Sequence, residues 1–548
     1  MRTRYIIIIG VLTLCCSLTF NIFGQSDQQG QGQQRRQREQ RRQREQRQHR
    51  GQKIHYTLEE INLRNSWALS QNVSGMVNYN LLNYSSAGAF FNSESGDYRN
   101  YNSAESSYNF GGTTHAFKRV DKVVFYGDFT YKYDTRKNQT WLGTYIPDFT
   151  TNPMLDSIPG KVLSESYEMT GKIAYELTNR TALGVGIDYH TATMAKRIDG
   201  RNSNVFSSIA VRPGIAHKIG NVTAGINLNY KYDVDRVKYS FIGDETGKNI
   251  YYMEGLFFMS KTGITTSTIL DRAYYLNSYG GAVQLDYSKS RFQWFNEFDM
   301  SYGKLNNYEG LIGTKRYSME ELLNYDFVNS VKFIGDRTNH FLKLNLKSRE
   351  VASNYIINNY EQVPDEIKSW QYFEKGSVLR YMTSVREFDA SYRLCFKETD
   401  WQYNFNITAG YNRLMSDKTY KVYPETYSQD FAINTVYLNG RKYFYPGKDN
   451  VLKLEAGVAY SEGSDDGDAL NTKNSGNLGL LQLNNRLLNV DYLYHNIGRA
   501  NINLGVRYRH MLNAEKNNAV EFSVKYNIIK TDENQDRSFL SLSANYVF

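Results

Sequence analysis

The residues able to do chemistry are few and scattered. The eight histidines stand at 49, 55, 115, 190, 217, 340, 495 and 510, and no two share metal-ligand spacing on one element. Asp188 and His190 share one face of an alternating segment and could do acid–base work, although a solvated pair lining a pore reads the same way. Asp465-Asp466-Gly467-Asp468 is acidic enough to attract Ca²⁺, but it lacks the full spacing of a calcium loop. Gly243–Lys248 reads GDETGK, too short for a phosphate-cradling loop. No catalytic constellation, metal site or cofactor is therefore expected. What remains is a set of charges on the polar parity of alternating segments: Asp128, Lys132, Asp286, Glu297, Asp299, Lys343, Lys347, Arg507, Arg509, Glu521 and Lys525. Both signs occur, with no single-sign ladder, which suits the lining of an aqueous lumen.

The elements carrying these charges alternate with period two. Val222, Ala224, Ile226, Leu228, Tyr230 and Tyr232 interleave with Thr223, Gly225, Asn227, Asn229 and Lys231. The same pattern holds in Leu342–Lys347, Tyr403–Asn412, Ile502–Arg509 and Val520–Ile528. Such strands face an apolar medium on one side and a polar one on the other. The chain holds 46 Tyr and 28 Phe but only 7 Pro, which favours strands and suits a lipid interface.

Short polar turns are expected at 178–181, 218–221, 288–291, 335–339, 397–400 and 447–450, with longer loops at 139–162, 241–274, 306–321, 357–376 and 464–476. That asymmetry, and the closure lipid demands of a sheet, predict an all-β, closed antiparallel transmembrane β-barrel. About 18 strands are expected. Sixteen or twenty stay open, because Gly476–Tyr494 could hold one strand or two.

The N-terminus carries its own signals. Residues 1–25 run from a basic start through an apolar stretch to small residues, the order of a secretory signal peptide. Residues 26–53 are Gln/Arg-rich and repeat RRQREQ, which predicts a disordered periplasmic linker. Residues 54–72 read as a short segment before the first strand, a possible hatch, and 73–548 as the barrel. The formal charge of +9 belongs mostly to the first two regions: residues 1–24 hold +2 and 25–53 hold +6, leaving +1 for the remainder. Nucleic acid is therefore not an expected partner. Cys395 would be alone in the mature chain.

The end of the chain, Leu540 to Phe548, alternates and finishes on an aromatic; with Tyr546 and Phe548 it resembles the C-terminal signal of Gram-negative outer-membrane β-barrel proteins. The whole region 73–548 looks like a poorly characterised, plug-less barrel, with a distant likeness to long-chain fatty-acid transporters whose N-terminal segment forms a hatch. The resemblance implies an outer-membrane site in contact with lipid and lipopolysaccharide, recognition by the barrel-assembly machinery, and a periplasmic N-terminal arm and C-terminus. It also implies a channel or transporter for small solutes or nutrients. The alternative is a non-catalytic accessory or scaffold barrel of an uptake or secretion complex, with a receptor or surface lipoprotein as partner. TonB-dependent receptors are similar in architecture, but they carry a folded plug larger than residues 54–72 supply.

Overall fold

A computed structural model describes residues 63, 66–68, 70–78 and 83–548, apart from 199, 243–247, 264–269, 311–314, 364–368, 400–401, 423–424, 448, 465–477 and 514–517. The expected signal peptide, the Gln/Arg-rich linker, the GDETGK segment up to Gly247 and the Asp465–Asp468 cluster lie outside the described residues.

Eighteen antiparallel strands form one sheet. The first, Tyr84–Gly96, pairs with the second, Ser106–Val120, and also with the last, Asp536–Val547, so the sheet closes on itself. Alternation makes this shape: in Val222–Ser240, Ile226 and Leu228 are exposed on the outside while Thr223, Asn227, Asp233 and Asp235 are buried inside. The outer belt continues through Ile173, Val185, Ile187, Leu342, Leu346, Val436, Leu438, Val458, Leu504 and Phe522. Closure leaves no unpaired strand edge to face that apolar medium.

The connections differ at the two ends. At the turn end, two-residue links follow Val120, Ile219 and Lys289, and Asp121, Gly220 and Ser290 adopt positive φ there, as tight hairpins require. The loop end carries residues 140–159, 241–269 and 464–498. Pro213, which has no N–H, sits inside a strand: the ladder on one side runs from Val211↔Tyr230 to Gly214↔Asn227 and skips Arg212 and Pro213.

Three expectations need correction. The loops expected at 306–321 and 357–376 are mostly strand, because pairing continues to Glu309↔Lys315 and to Gln362↔Trp370. The two strands of that second hairpin, Thr338–Gln362 and Trp370–Lys397, are 25 and 28 residues long and rise past their neighbours. Gly476–Tyr494 adds no strand. Leu478–Asn496 is a helix, here α1, whose half-buried Leu483 and buried Leu487, Leu488 and Asp491 fall on one helical face. The barrel thus has the 18 strands expected.

Candidate functional site: the barrel lumen

At the turn end, residues 63–78 cross the interior. Trp67 has no exposed surface, donates its indole N–H to Asp286 over 2.8 Å and lies edge-on to Phe295. The Ser70 hydroxyl donates to Glu297, which also accepts the Gln71 N–H at 3.1 Å. Asn72 donates from Nδ2 to the carbonyls of Ile215 and Ile226 and to Gln284. The wall is cut to fit: a Cβ at Gly184 would meet the Ser74 nitrogen at 2.6 Å, and one at Gly225 would meet the Trp67 ring at 2.8 Å. Val73, Met76 and Val77 then pack with Phe117, Val124, Ala174, Ala182 and Ala216.

At the loop end, residues 140–159 fold inward. Tyr145 donates its backbone N–H to Asp235 at 2.6 Å. Glu320, almost fully buried, accepts from the Thr150 hydroxyl, the Thr151 N–H and Asn152 Nδ2. Lys196 pairs with Asp156, with side chains 0% and 1% exposed. The strand Met154–Asp156 joins Asn249–Met253 and Met259–Gly263 in a three-stranded sheet. Glu254, beside that sheet, accepts from Arg380, Tyr317 and Tyr420. Helix α1 covers Phe257 and Met259 through Leu487 and Leu488. It is pinned by Asp491, which takes Lys418 at 3.0 Å and Asn100 at 2.8 Å. Burial opposes ionisation of Asp491, but Lys418, His495 and Asn100 outweigh it and hold the carboxyl well below its ordinary 3.8.

Between the two ends the wall is polar. Asp299 accepts from Asn229 at 2.5 Å, Glu387 from Asn412 at 2.8 Å and Asp389 from the Tyr437 hydroxyl at 3.2 Å. The charges singled out from sequence have these places: Asp286 and Glu297 hold the N-terminal segment, and Asp128 pairs with His115. Lys347 is the ladder partner of Asp326, and Lys343 stands four residues earlier on the same face. Arg507 is 3.5 Å from Glu521, whose ladder partner is Arg509, while Lys525 lies across from Gly505. Lys132 shares the face of Asp128 on the strand Val123–Gln139. Tyr546 and Phe548 stack at 5.7 Å, and the Phe548 N–H reaches the Ser85 carbonyl at 2.9 Å.

The Asp188/His190 pair does not form. Asp188 takes Arg212 and the Thr170 hydroxyl instead. His190 lies 3.8 Å from Glu168, with its ring against Tyr145 and Phe206. Each of the two side chains is taken by a cross-strand neighbour instead. Sequence reasoning missed Trp67, Ser70, Asn72, Lys196, Glu320 and His115. Their partners lie many residues away, and only the Trp within a polar stretch carried any signal. Among the described residues, no group of three or more His, Cys, Asp or Glu is placed to hold a metal ion.

A closed antiparallel barrel with an apolar outer belt and a polar interior is an outer-membrane β-barrel of the Gram-negative envelope, seated in lipid and lipopolysaccharide. Within that class the chain belongs to DUF6850, a family of unknown function whose model matches residues 73–548. No curated protein matches the chain. Solved structures similar to it include the RagAB peptide transporter, at 6% identity and a TM-score of 0.40, covering 84% of this chain and 86% of that one. The ferric preacinetobactin receptor BauA of Acinetobacter baumannii has 9% identity and a TM-score of 0.38, covering 85% and 80%. A mutant of the monoaromatic hydrocarbon channel TodX has 10% identity and a TM-score of 0.31, covering 88% and 94%.

Proposed function

We propose that this protein is a gated outer-membrane barrel that admits small polar solutes or nutrients, with residues 63–78 as the gate. The observation that carries the reading is the seating of Trp67, Ser70 and Asn72 on Asp286, Glu297 and Gln284. Among the described residues, none of this segment forms a ladder pair, so it can leave without breaking one. In this reading Asp128, Lys132, Asp299, Lys343, Lys347, Arg507, Arg509, Glu521 and Lys525 line the path, and Asp286 and Glu297 double as the latch. Transport requires no reaction at any of them. The turn end, with the N-terminal arm and Phe548, faces the periplasm, and the loop end faces outward. The assembly machinery reads Tyr546 and Phe548.

Single-channel recording on purified protein tests this. The full chain should stay closed for most of the recording, and variants with Glu297→Ala or without residues 26–78 should open in steps. A folded variant lacking the segment that still passes no current would defeat the reading.

A second reading, an accessory barrel that docks a surface partner, draws support from the tall hairpin. Residues 370–379 are exposed along their whole length, and Tyr360 stacks on Trp370 beyond the neighbouring strands. Loss of a co-purifying surface lipoprotein on shortening that hairpin, with conductance unchanged, would favour it.

A further inference from the structure

Among the described histidines, one differs from the others in what its two ring nitrogens meet. Thr113 and His115 lie two residues apart on the strand Ser106–Val120, and so on one face. Across the ladder, His115 pairs with Asp128 and Thr113 with Thr130. The Thr113 hydroxyl oxygen is 3.1 Å from His115 Nε2, and Nδ1 meets the Asp128 carboxylate. The Thr130 hydroxyl lies 3.3 Å from that of Thr113. His115 and Asp128 keep 28% and 23% of their side-chain surface exposed. They lie on the inner face, so solutes in the lumen can reach them.

Hydroxyl contacts to the other described histidines lack this arrangement. His217 meets Thr181, and His340 meets Thr338 and Tyr392, with no carboxylate on the second nitrogen. His190 and His495 meet carboxylates but show no hydroxyl contact to the ring. A carboxylate paired with the ring on its Nδ1 side favours the imidazolium that forms when Nε2 takes a hydroxyl proton, which is the logic of an activated nucleophile.

We propose that Thr113, His115 and Asp128 form an acyl-transfer relay on the lumenal wall that hydrolyses small carboxylic esters. Thr113 Oγ1 attacks the ester carbonyl carbon while its proton passes to His115 Nε2. The ester C–O bond then breaks, and the departing alkoxide takes that proton and leaves as the alcohol. Water attacks the acyl-threonine, again giving its proton to Nε2; the acid leaves and Thr113 recovers its proton. The Thr130 hydroxyl stands beside the reacting centre, placed to donate to the oxyanion. Asp128 is a positioning residue that acts through the histidine. Spacing along the chain carries no sign of this, because the carboxylate and the histidine belong to different strands.

The test uses the full chain in detergent, with p-nitrophenyl acetate as substrate and a small fluorophosphonate as covalent probe. Conditions are those in which Ser543→Cys, on the lumenal face beside Ser523, is labelled by a small maleimide. Absence of reaction then counts against the relay and not against access. The expected result is one adduct, at Thr113, and ester turnover that falls at least about a hundredfold in Thr113→Val and persists in Thr113→Ser. Asp128→Asn should lower turnover and displace its pH profile, and Asp128→Glu should recover part of both. Barrel mobility on unheated gels checks folding in each variant. Equal turnover in wild type and Thr113→Val, or a wild type without an adduct at Thr113, overturns the proposal.

Discussion

Segments are seated inside the two ends of the barrel by different means. At the turn end a single segment, 63–78, has no ladder pair among the described residues, and its polar contacts concentrate on Asp286, Glu297 and Gln284. At the loop end, residues 140–159 and 241–269 and helix α1 each leave the barrel and return to it, and their buried carboxylates and cations interlock. A segment without a ladder pair can withdraw at the cost of its own contacts. A loop anchored on both sides can only rearrange within its span. The contrast assigns the moving part to the turn end and the fixed constriction to the loop end.

Breaking the loop end should take the largest single loss. Lys196→Met leaves Asp156 buried without its cation, a cost of about 3–5 kcal/mol. Limited proteolysis should then cut within 140–159 while the barrel keeps its heat-modifiable mobility. If residues 140–159 stay as resistant as in wild type, this end is not held as described.

Opening the turn end should take somewhat less. Glu297→Ala orphans the Ser70 hydroxyl and the Gln71 N–H, at roughly 1–3 kcal/mol for a buried unsatisfied group. Hydrogen exchange at residues 66–78 should accelerate by about tenfold or more, with loop-end exchange unchanged. Parallel acceleration at both ends would mean the two closures are coupled, and the comparison would fail.

Acid should loosen α1 before it touches the turn-end segment. The Asp491 carboxyl is held below 3.8 when the helix is docked, so docking favours the ionised form. That contribution is complete above the unfolded value and is lost as pH falls through the lowered one. Protease sensitivity of 478–496 should therefore rise only below about pH 4, and Asp491→Asn should show the acid-loosened state already at pH 7.

The smallest effect should come from Arg291 and Asp336, an ion pair at the turn end whose side chains are 54% and 77% exposed. Arg291→Ala should change barrel stability by less than about 1 kcal/mol in urea unfolding. A larger loss would show that turn-end charges brace the barrel itself and not just the segment inside it.

Much of the barrel was legible because its signal is local. Alternation in Val222–Tyr232 or Ile502–Arg509 states which residues face lipid, whatever the neighbours are. Hairpin turns such as Gly220-Asn221 announce themselves through residues that tolerate positive φ. Helix α1 was misread because a Leu-rich stretch of that length fits a strand or a helix until one knows what covers it. The hairpin 338–397 was cut short because its tip is polar and aromatic and lacks a lipid-facing pattern.

By itself, the sequence determined the closed barrel, the strand alternation and the position of most turns, since each follows from period-two patterning against a two-sided environment. It also carried the charges of the lumen. Only the tertiary structure decided their partners: Glu297 with Ser70, Lys196 with Asp156, Asp188 with Arg212, His115 with Asp128. Each pair joins separate strands or a strand to an inserted segment. Cross-strand contact depends on register and on what fills the lumen, and neither is written in the spacing of one chain segment.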